Sequence, residues 1–451
     1  MNASLRLSRL LQRWRRSHLL KAVATGTGLA LGIRIAGVAL GYLAEIVLAR
    51  LLGVDEYGVY SLVVAWVMLI ALFPLLGFHH AVGRFIPQYI EQEDGRRLHG
   101  VVRGSLLASL AASLALAAAG LALLFGLDAA FGVPYVWAWY AGLLLLPVLG
   151  LLRLTRSIAV SLRRVALAFA PPLVLQPLLL IGFVALLFVL GAPLTGVVAL
   201  LAAVAAGLLV LGGQLGFLKR GGLPLPGSGS PLYDWRVWLA VGLPLILFDA
   251  FSMALRQADL MMIGVLMTPA DAGIYGAALK TTGQTIFLLV SVNAVVAPML
   301  AAFWTRQDKK GLQRVLYMAA HFSFWPALAF VLVLSLFSSF ILGLFGEAFV
   351  AAQWPMIILG VGQLFNAGTG VVVSLMIVSG HHVAVTRVFG VSAVLYVILL
   401  FFGIQAFGLI GAAVATALTM ALWNIWLNRL AWRRLHLHTS IVEAMVALRK
   451  R

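Results

Sequence analysis

Leu52-Gly-Val-Asp-Glu-Tyr-Gly-Val-Tyr60 and Met267-Thr-Pro-Ala-Asp-Ala-Gly-Ile-Tyr275 align Gly58 with Gly273 and Tyr60 with Tyr275, at an offset of 215 residues in a chain of 451. Further matches keep the same order. Pro87 ahead of an acidic-basic loop parallels Pro298 ahead of Arg306 to Lys310, and Ser161-Leu-Arg-Arg-Val-Ala166 parallels Ser379-Gly-His-His-Val-Ala384. Thr195-Gly-Val-Val-Ala199 and Ile410-Gly-Ala-Ala-Val414 align Gly196 with Gly411, again 215 apart. Each match is weak alone, but a common order and offset mark an internal repeat.

The repeat is written in apolar sequence. Hydrophobic residues make up 63% and charged residues 10%, with a mean hydropathy of +1.06, against roughly 45–50% and about 25% in a soluble domain. A bilayer core needs about 20 apolar residues per helix. Twelve runs meet that length, at 24–50, 57–78, 100–126, 135–158, 166–190, 194–217, 238–267, 273–303, 315–345, 354–378, 384–404 and 408–430. The fold class expected is therefore all-α integral membrane, about twelve spans in two six-helix repeats around a central cavity. Six is even, so both repeats enter the membrane from one side and run parallel.

Charge placement orients the chain. Of 32 Lys and Arg residues, 28 fall before the first span, after the last, or at every second gap, whereas the alternate gaps carry Asp55, Glu56, Asp128, Asp271 and Glu347. Cytoplasmic loops collect Lys and Arg, which predicts a multi-pass membrane protein with both termini cytoplasmic. Residues 1–21 read as a basic amphipathic segment on the cytoplasmic face and lack the small-residue cleavage site of a signal peptide. Residues 22–218 form an expected N-terminal lobe, and 236–430 a C-terminal lobe. Between them 219–235, containing GGLPLPGSGSP, reads as a flexible cytoplasmic linker, and 431–451 as a basic tail. The net charge of +18 sits in short loops without a basic domain, which excludes nucleic acid as a partner. With no cysteine, disulfides, thiolate metal sites and cysteine nucleophiles are excluded.

Four basic residues escape the topology: Arg34, Arg50, Arg256 and Lys280. Arg50 is expected to snorkel to the outer interface. The other three lie deeper, where a charge costs about 2.5 kcal/mol or more and faces a bundle interior or aqueous cavity. Glu45, Asp249 and Asp259 are acidic companions. Arg34 and Glu45 return to within about 20° of one helix face, and Asp249 and Arg256 share another. Gln284 and Asn366 belong to polar stripes on the eighth and tenth spans. Two readings compete. In one, Arg256 pairs with Asp259, or Arg34 with Asp249, as interhelical glue. In the other, surplus positive charge binds an anionic head group, for which guanidinium geometry suits phosphate, and Asp249 and Glu45 serve ion coupling or orient the arginines.

Other features carry less. His79, His80, His381 and His382 sit at span ends, where an interfacial role is the plain one, and adjacent histidines point to different helix faces, so no metal site is expected. Small-residue pairs such as Gly37/Gly41 read as packing. Walker, HExxH and nucleophile-elbow motifs are absent, so neither ATP hydrolysis nor a cofactor is implied.

Ala49-Arg-Leu-Leu-Gly-Val-Asp-Glu-Tyr-Gly-Val-Tyr-Ser61 resembles the opening signature of bacterial polysaccharide-biosynthesis (O-antigen) flippases, and Ala272-Gly-Ile-Tyr-Gly-Ala-Ala-Leu-Lys280 resembles their second-half signature. Those proteins share a superfamily with multidrug and toxic compound extrusion (MATE) transporters and the lipid II flippase. The resemblance implies a MATE-like fold in the bacterial cytoplasmic (inner) membrane that alternates between leaflets and moves undecaprenyl-diphosphate-linked oligosaccharide outward for cell-surface polysaccharide synthesis. It also implies membrane lipid, polymerase and glycosyltransferases as partners, and a cationic cavity that maps onto Arg34, Arg256 and Lys280. The alternatives are an ion-coupled multidrug extruder, against which surplus cavity positive charge argues, and a membrane glycosyltransferase or polymerase, against which short outward gaps argue.

Overall fold

The computed structural model describes residues 18–225 and 230–449; most of the expected N-terminal amphipathic segment lies outside them. Described residues form helices and no strands: α1 (His18–Ile70), α2 (Phe78–Glu91), α3 (Gly95–Phe131), α4 (Val136–Ser161), α5 (Val165–Ala170), α6 (Gln176–Val189) and α7 (Gly196–Arg220). After the connector come α8 (Trp235–Leu266), α9 (Pro269–Gly283), α10 (Thr285–Thr305), α11 (Lys309–Leu336), α12 (Ser338–Gly343), α13 (Gln353–Gly368), α14 (Val372–Val378), α15 (His382–Leu435) and α16 (Ile441–Arg449). Ten helical stretches among the described residues are long and apolar enough to cross a membrane. Two of them hold two expected spans each. They break at Gly53 (φ 77°) and Gly408 (φ 56°), in backbone conformations that a side chain disfavours.

Polar residues at span ends set helix starts. Thr268 and Asp271 form a reciprocal capping box at the start of α9, and Asp94 and Asp308 accept from Arg97 N and Gly311 N to open α3 and α11. Lipid offers no hydrophobic drive between helices, so small residues that allow close approach hold the bundle. Along α7, Ala199, Ala203 and Ala206 are buried, and a Cβ on Gly207 would stand 2.5 Å from Val148 Cγ1 on α4.

Packing is different at the two ends. At the end opposite the basic loops, one cluster joins both halves, with Tyr57, Tyr60 and Leu145 beside Tyr275, Phe345 and Phe349. Near the basic loops it separates into two. One comprises Phe78, Phe85, Ile86, Leu154 and Ile158 of the first half; the other comprises Leu312, Leu316, Leu375 and Leu427 of the second. Apolar packing is thus continuous across the halves at one end, and at the other it forms separate clusters, with Trp238 of α8 belonging to the first-half one.

The connector departs from expectation at both described ends. Arg164 donates to the Gly221 and Gly222 carbonyls, Arg96 donates to Ser230 O, and Arg97 pairs with Asp234 at 2.8 Å. Trp238, fully buried, donates its indole N–H to Tyr89 Oη. Gly, Pro and Ser composition signals a turn-rich segment, but these arginines tie its flanks to the first half.

Candidate functional site

The intramembrane charges fall into two groups. In the first, Glu45 of α1 pairs with Lys280 of α9 and accepts from Tyr57 Oη at 3.0 Å. Lys280 Nζ lies 5.3 Å from the Tyr57 ring centroid and 6.0 Å from that of Tyr60, within cation-π range. Tyr42 Oη and Thr281 Oγ1 meet at 2.9 Å across the same seam. These bonds join the halves near their close backbone approach, where a Cβ on Gly273 would stand 2.7 Å from Val54 O. Lys280 thus has its countercharge and stands apart from the other cations. Arg50, exposed at the end away from the basic loops, donates to the carbonyls of Gly343 and Leu344 at 3.3 Å.

The second group surrounds a cavity of about 530 Å³ lined by Arg34, His79, Arg156, Ser157, Phe169 and Phe287, among others. The Arg34 guanidinium sits 4.6 Å from the Phe169 ring centroid. Arg156 lies within electrostatic reach of Arg34, and Arg153 within reach of Arg156, Asp249 and Arg256. Asp249 completes the cluster from α8. Its Oδ2 receives His79 Nε2 at 2.7 Å and His80 Nε2 at 2.8 Å. Arg34 and Arg156 thus line the cavity, while Arg153 and Arg256 lie within reach of a single carboxylate that two imidazoles already engage.

Several expectations change. Neither glue pair forms: Asp249 turns to the histidines, and Asp259 is buried in the second half, accepting from Leu260 N at 2.9 Å and Tyr275 Oη at 3.2 Å. Tyr275 and Tyr396 each meet Thr416 Oγ1 beside it, so Asp259 faces no cavity cation. Gln284 donates to the Lys280 carbonyl one turn back, and Asn366 is half-buried on α13. His79 and His80 are not plain interfacial residues. The Gly77 backbone (φ 74°) starts α2 just before them, and both rings reach one carboxylate oxygen although their Cβ atoms diverge. His79, His80 and Asp249 offer ligand atoms within 4.8 Å of one another, a convergence that the divergent faces of adjacent histidines did not suggest. The neighbouring guanidiniums oppose a divalent cation there.

Arg153 and Arg156 were missed because their place near the end of the fourth span counts them with loop cations. The available signal was their position inside the predicted run 135–158 at an i, i+3 spacing, which puts both on one helix face.

A family model described as polysaccharide biosynthesis protein matches residues 23–304. The chain belongs to that family. A relative by name, the probable low-salt glycan biosynthesis flippase Agl15 of Haloferax volcanii, is 27% identical over 171 residues, so the match spans 36% of this chain and 35% of that relative. Among solved structures, a multidrug resistance MATE family transporter of the MOP superfamily in an inward-facing conformation superposes with TM-score 0.73 at 15% identity, covering 88% of this chain and 94% of that one. The lipid II flippase MurJ, in an inward closed conformation, gives TM-score 0.67 at 15% identity over 89% of this chain and 87% of its own. This polysaccharide biosynthesis protein thus has the MOP superfamily fold, all-helical and multi-pass, with two parallel six-helix repeats around a central cavity.

Proposed function

We propose that this chain is a flippase, not an enzyme, that carries polyprenyl-diphosphate-linked oligosaccharide from the cytoplasmic to the outer leaflet of the bacterial inner membrane. Residues 22–218 rock against 236–430, with the basic loops on the cytoplasmic side. The observation that carries the reading is the arginine surplus around a 530 Å³ cavity inside an apolar bundle. A diphosphate and its sugars are barred from hydrocarbon while the polyprenyl tail is not, so a carrier needs a cationic chamber reachable from lipid. Uncompensated guanidiniums at membrane depth are costly, and an arriving phosphate removes that cost through charge-assisted hydrogen bonds.

Arg34 and Arg256 hold the diphosphate together with Arg153 and Arg156. Lys280 acts further along the path: Glu45 neutralises it while the outer seam is shut, and opening frees it for the departing anion. Asp249 and the two histidines join the halves and are the groups placed to couple an ion to rocking. Extrusion of organic cations, which the shared fold would permit, is opposed by like charge in a low-dielectric cavity.

Arg34→Ala, Arg156→Ala and Arg256→Ala test the site in a reconstituted assay of lipid-linked oligosaccharide flipping. Losing a charge-assisted bond worth about 1.5–3 kcal/mol lowers transport by roughly tenfold or more. Unchanged transport in all three overturns the assignment. Lipid-linked sugar accumulating on the inner leaflet when the protein is depleted separates a flippase from an extruder.

A further inference from the structure

Arg156 is a wall between two spaces. On one side is the main cavity; on the other, a recess of about 150 Å³ enters the first-half bundle between α1, α4 and the fifth span. Its floor is apolar, from Met68, Ala71, Leu149 and Leu152, and its polar groups are Arg153, Arg156 and Gln176.

The fifth span makes room for it. Between α5 and α6 the backbone passes through one π-helical turn, Pro171–Leu175, in which Gln176 N–H donates to Pro171 O. Pro171 and Pro172 supply no N–H to the preceding turn, so the wider hydrogen-bond spacing replaces the α pattern there. That turn places Pro172 and Gln176 at the recess.

Arg153 and Arg156 leave one face of α4, and neither is ion-paired with a carboxylate among the described residues. Two such cations on one low-dielectric wall repel unless an anion comes between them. At ~30 Å³ per water, the recess has room for about five waters. That suits the oxygens of one phosphoryl group and is too small for a glycan.

We propose that the recess is a second anion subsite and that a diphosphate straddles Arg156. One phosphoryl group lies in the main cavity against Arg34 and Arg156. The non-bridging oxygens of the other enter the recess toward Arg153, Arg156 and Gln176, while the esterified chain passes across its mouth. This rests on the flippase reading and sharpens it: a lipid monophosphate fills one subsite, a diphosphate both, so the chain selects lipid diphosphates.

The test is titration of the full-length protein in nanodiscs with undecaprenyl diphosphate and undecaprenyl monophosphate. Wild type is expected to prefer the diphosphate by about tenfold or more, the effect of one further charge-assisted contact. Arg153→Gln and Gln176→Leu bring that preference close to unity and leave monophosphate affinity within about twofold, whereas Arg34→Gln weakens both lipids. Melting temperature checks that each variant is folded, and the two substitutions keep the test valid if one misfolds. Equal affinity of wild type for both lipids, or a retained preference in both recess variants, overturns the subsite and leaves the flippase reading standing. Wild type that binds neither lipid overturns both.

Discussion

Lys280 and the cavity arginines show how basic residues within one bundle serve different ends. Lys280 has a carboxylate, two aromatic faces and a half-buried setting, whereas Arg153 and Arg256 reach a carboxylate that His79 and His80 already engage, and Arg34 and Arg156 line the cavity without an ion-paired carboxylate among the described residues. Removing one partner of a shielded ion pair strands the other, at about 3–5 kcal/mol when fully buried. Glu45→Gln and Lys280→Met are therefore each expected to lower the melting temperature in detergent, and the double variant to recover part of the loss. Additive losses would show that the two do not act as a pair. Counting charges along the chain found Arg34 and Arg256 but not their partners, because a long side chain near a span end reaches either cavity or interface. Only the neighbours on α1 and α8 decide which.

At the scale of elements, the repeat signature builds a seam. Gly58 and Gly273, equivalent in sequence, lie against each other's backbone: a Cβ on Gly58 would strike Pro269 O, and one on Gly273 would stand 3.1 Å from Gly58 Cα. The seam closes because neither residue has a side chain. Gly58→Ala is expected to hold it ajar. The chain has no cysteine, so Ser61→Cys, at a position 1% exposed beside that seam, supplies a single reporter whose maleimide labelling should rise several-fold in the Gly58→Ala background. Equal labelling with and without the substitution would show that the glycine contact does not gate the seam. Helix α8 crosses between the halves: Trp238 packs in the first-half cluster, Asp249 meets His79 and His80, and Asp259 lies among second-half tyrosines. Pro244, inside α8, removes one backbone bond between the first two and marks where the helix can bend.

For the whole molecule, the arrangement of the cores defines the state. A single cluster spans both halves at the end away from the basic loops, and separate clusters stand at the other, where α8 contacts the first half through Trp238 and Asp249. Transport then requires the fused end to part. Cysteines at Arg50 and Leu344, whose native contact crosses that end, should arrest flipping when joined by a short bifunctional thiol reagent with a disulfide in its spacer. Reduction should restore the rate. Full flipping by the cross-linked protein would exclude rocking at this seam.

The sequence by itself determined the class, span number and repeat of this protein, because each follows from properties local along the chain, runs of about 20 apolar residues and one recurrent offset, and the side on which Lys and Arg collect predicts its orientation. It also identified Arg34, Glu45, Asp249, Arg256 and Lys280 as charges needing an explanation. Tertiary structure decided their partners. His79 and His80 reach an acid about 170 positions away, Lys280 finds Glu45 rather than phosphate-binding company, and a loop-edge pair, Arg153 and Arg156, enters the cavity group. Electrostatic pairing depends on distance in space and on the local dielectric, and neither is written in the spacing of residues along one helix.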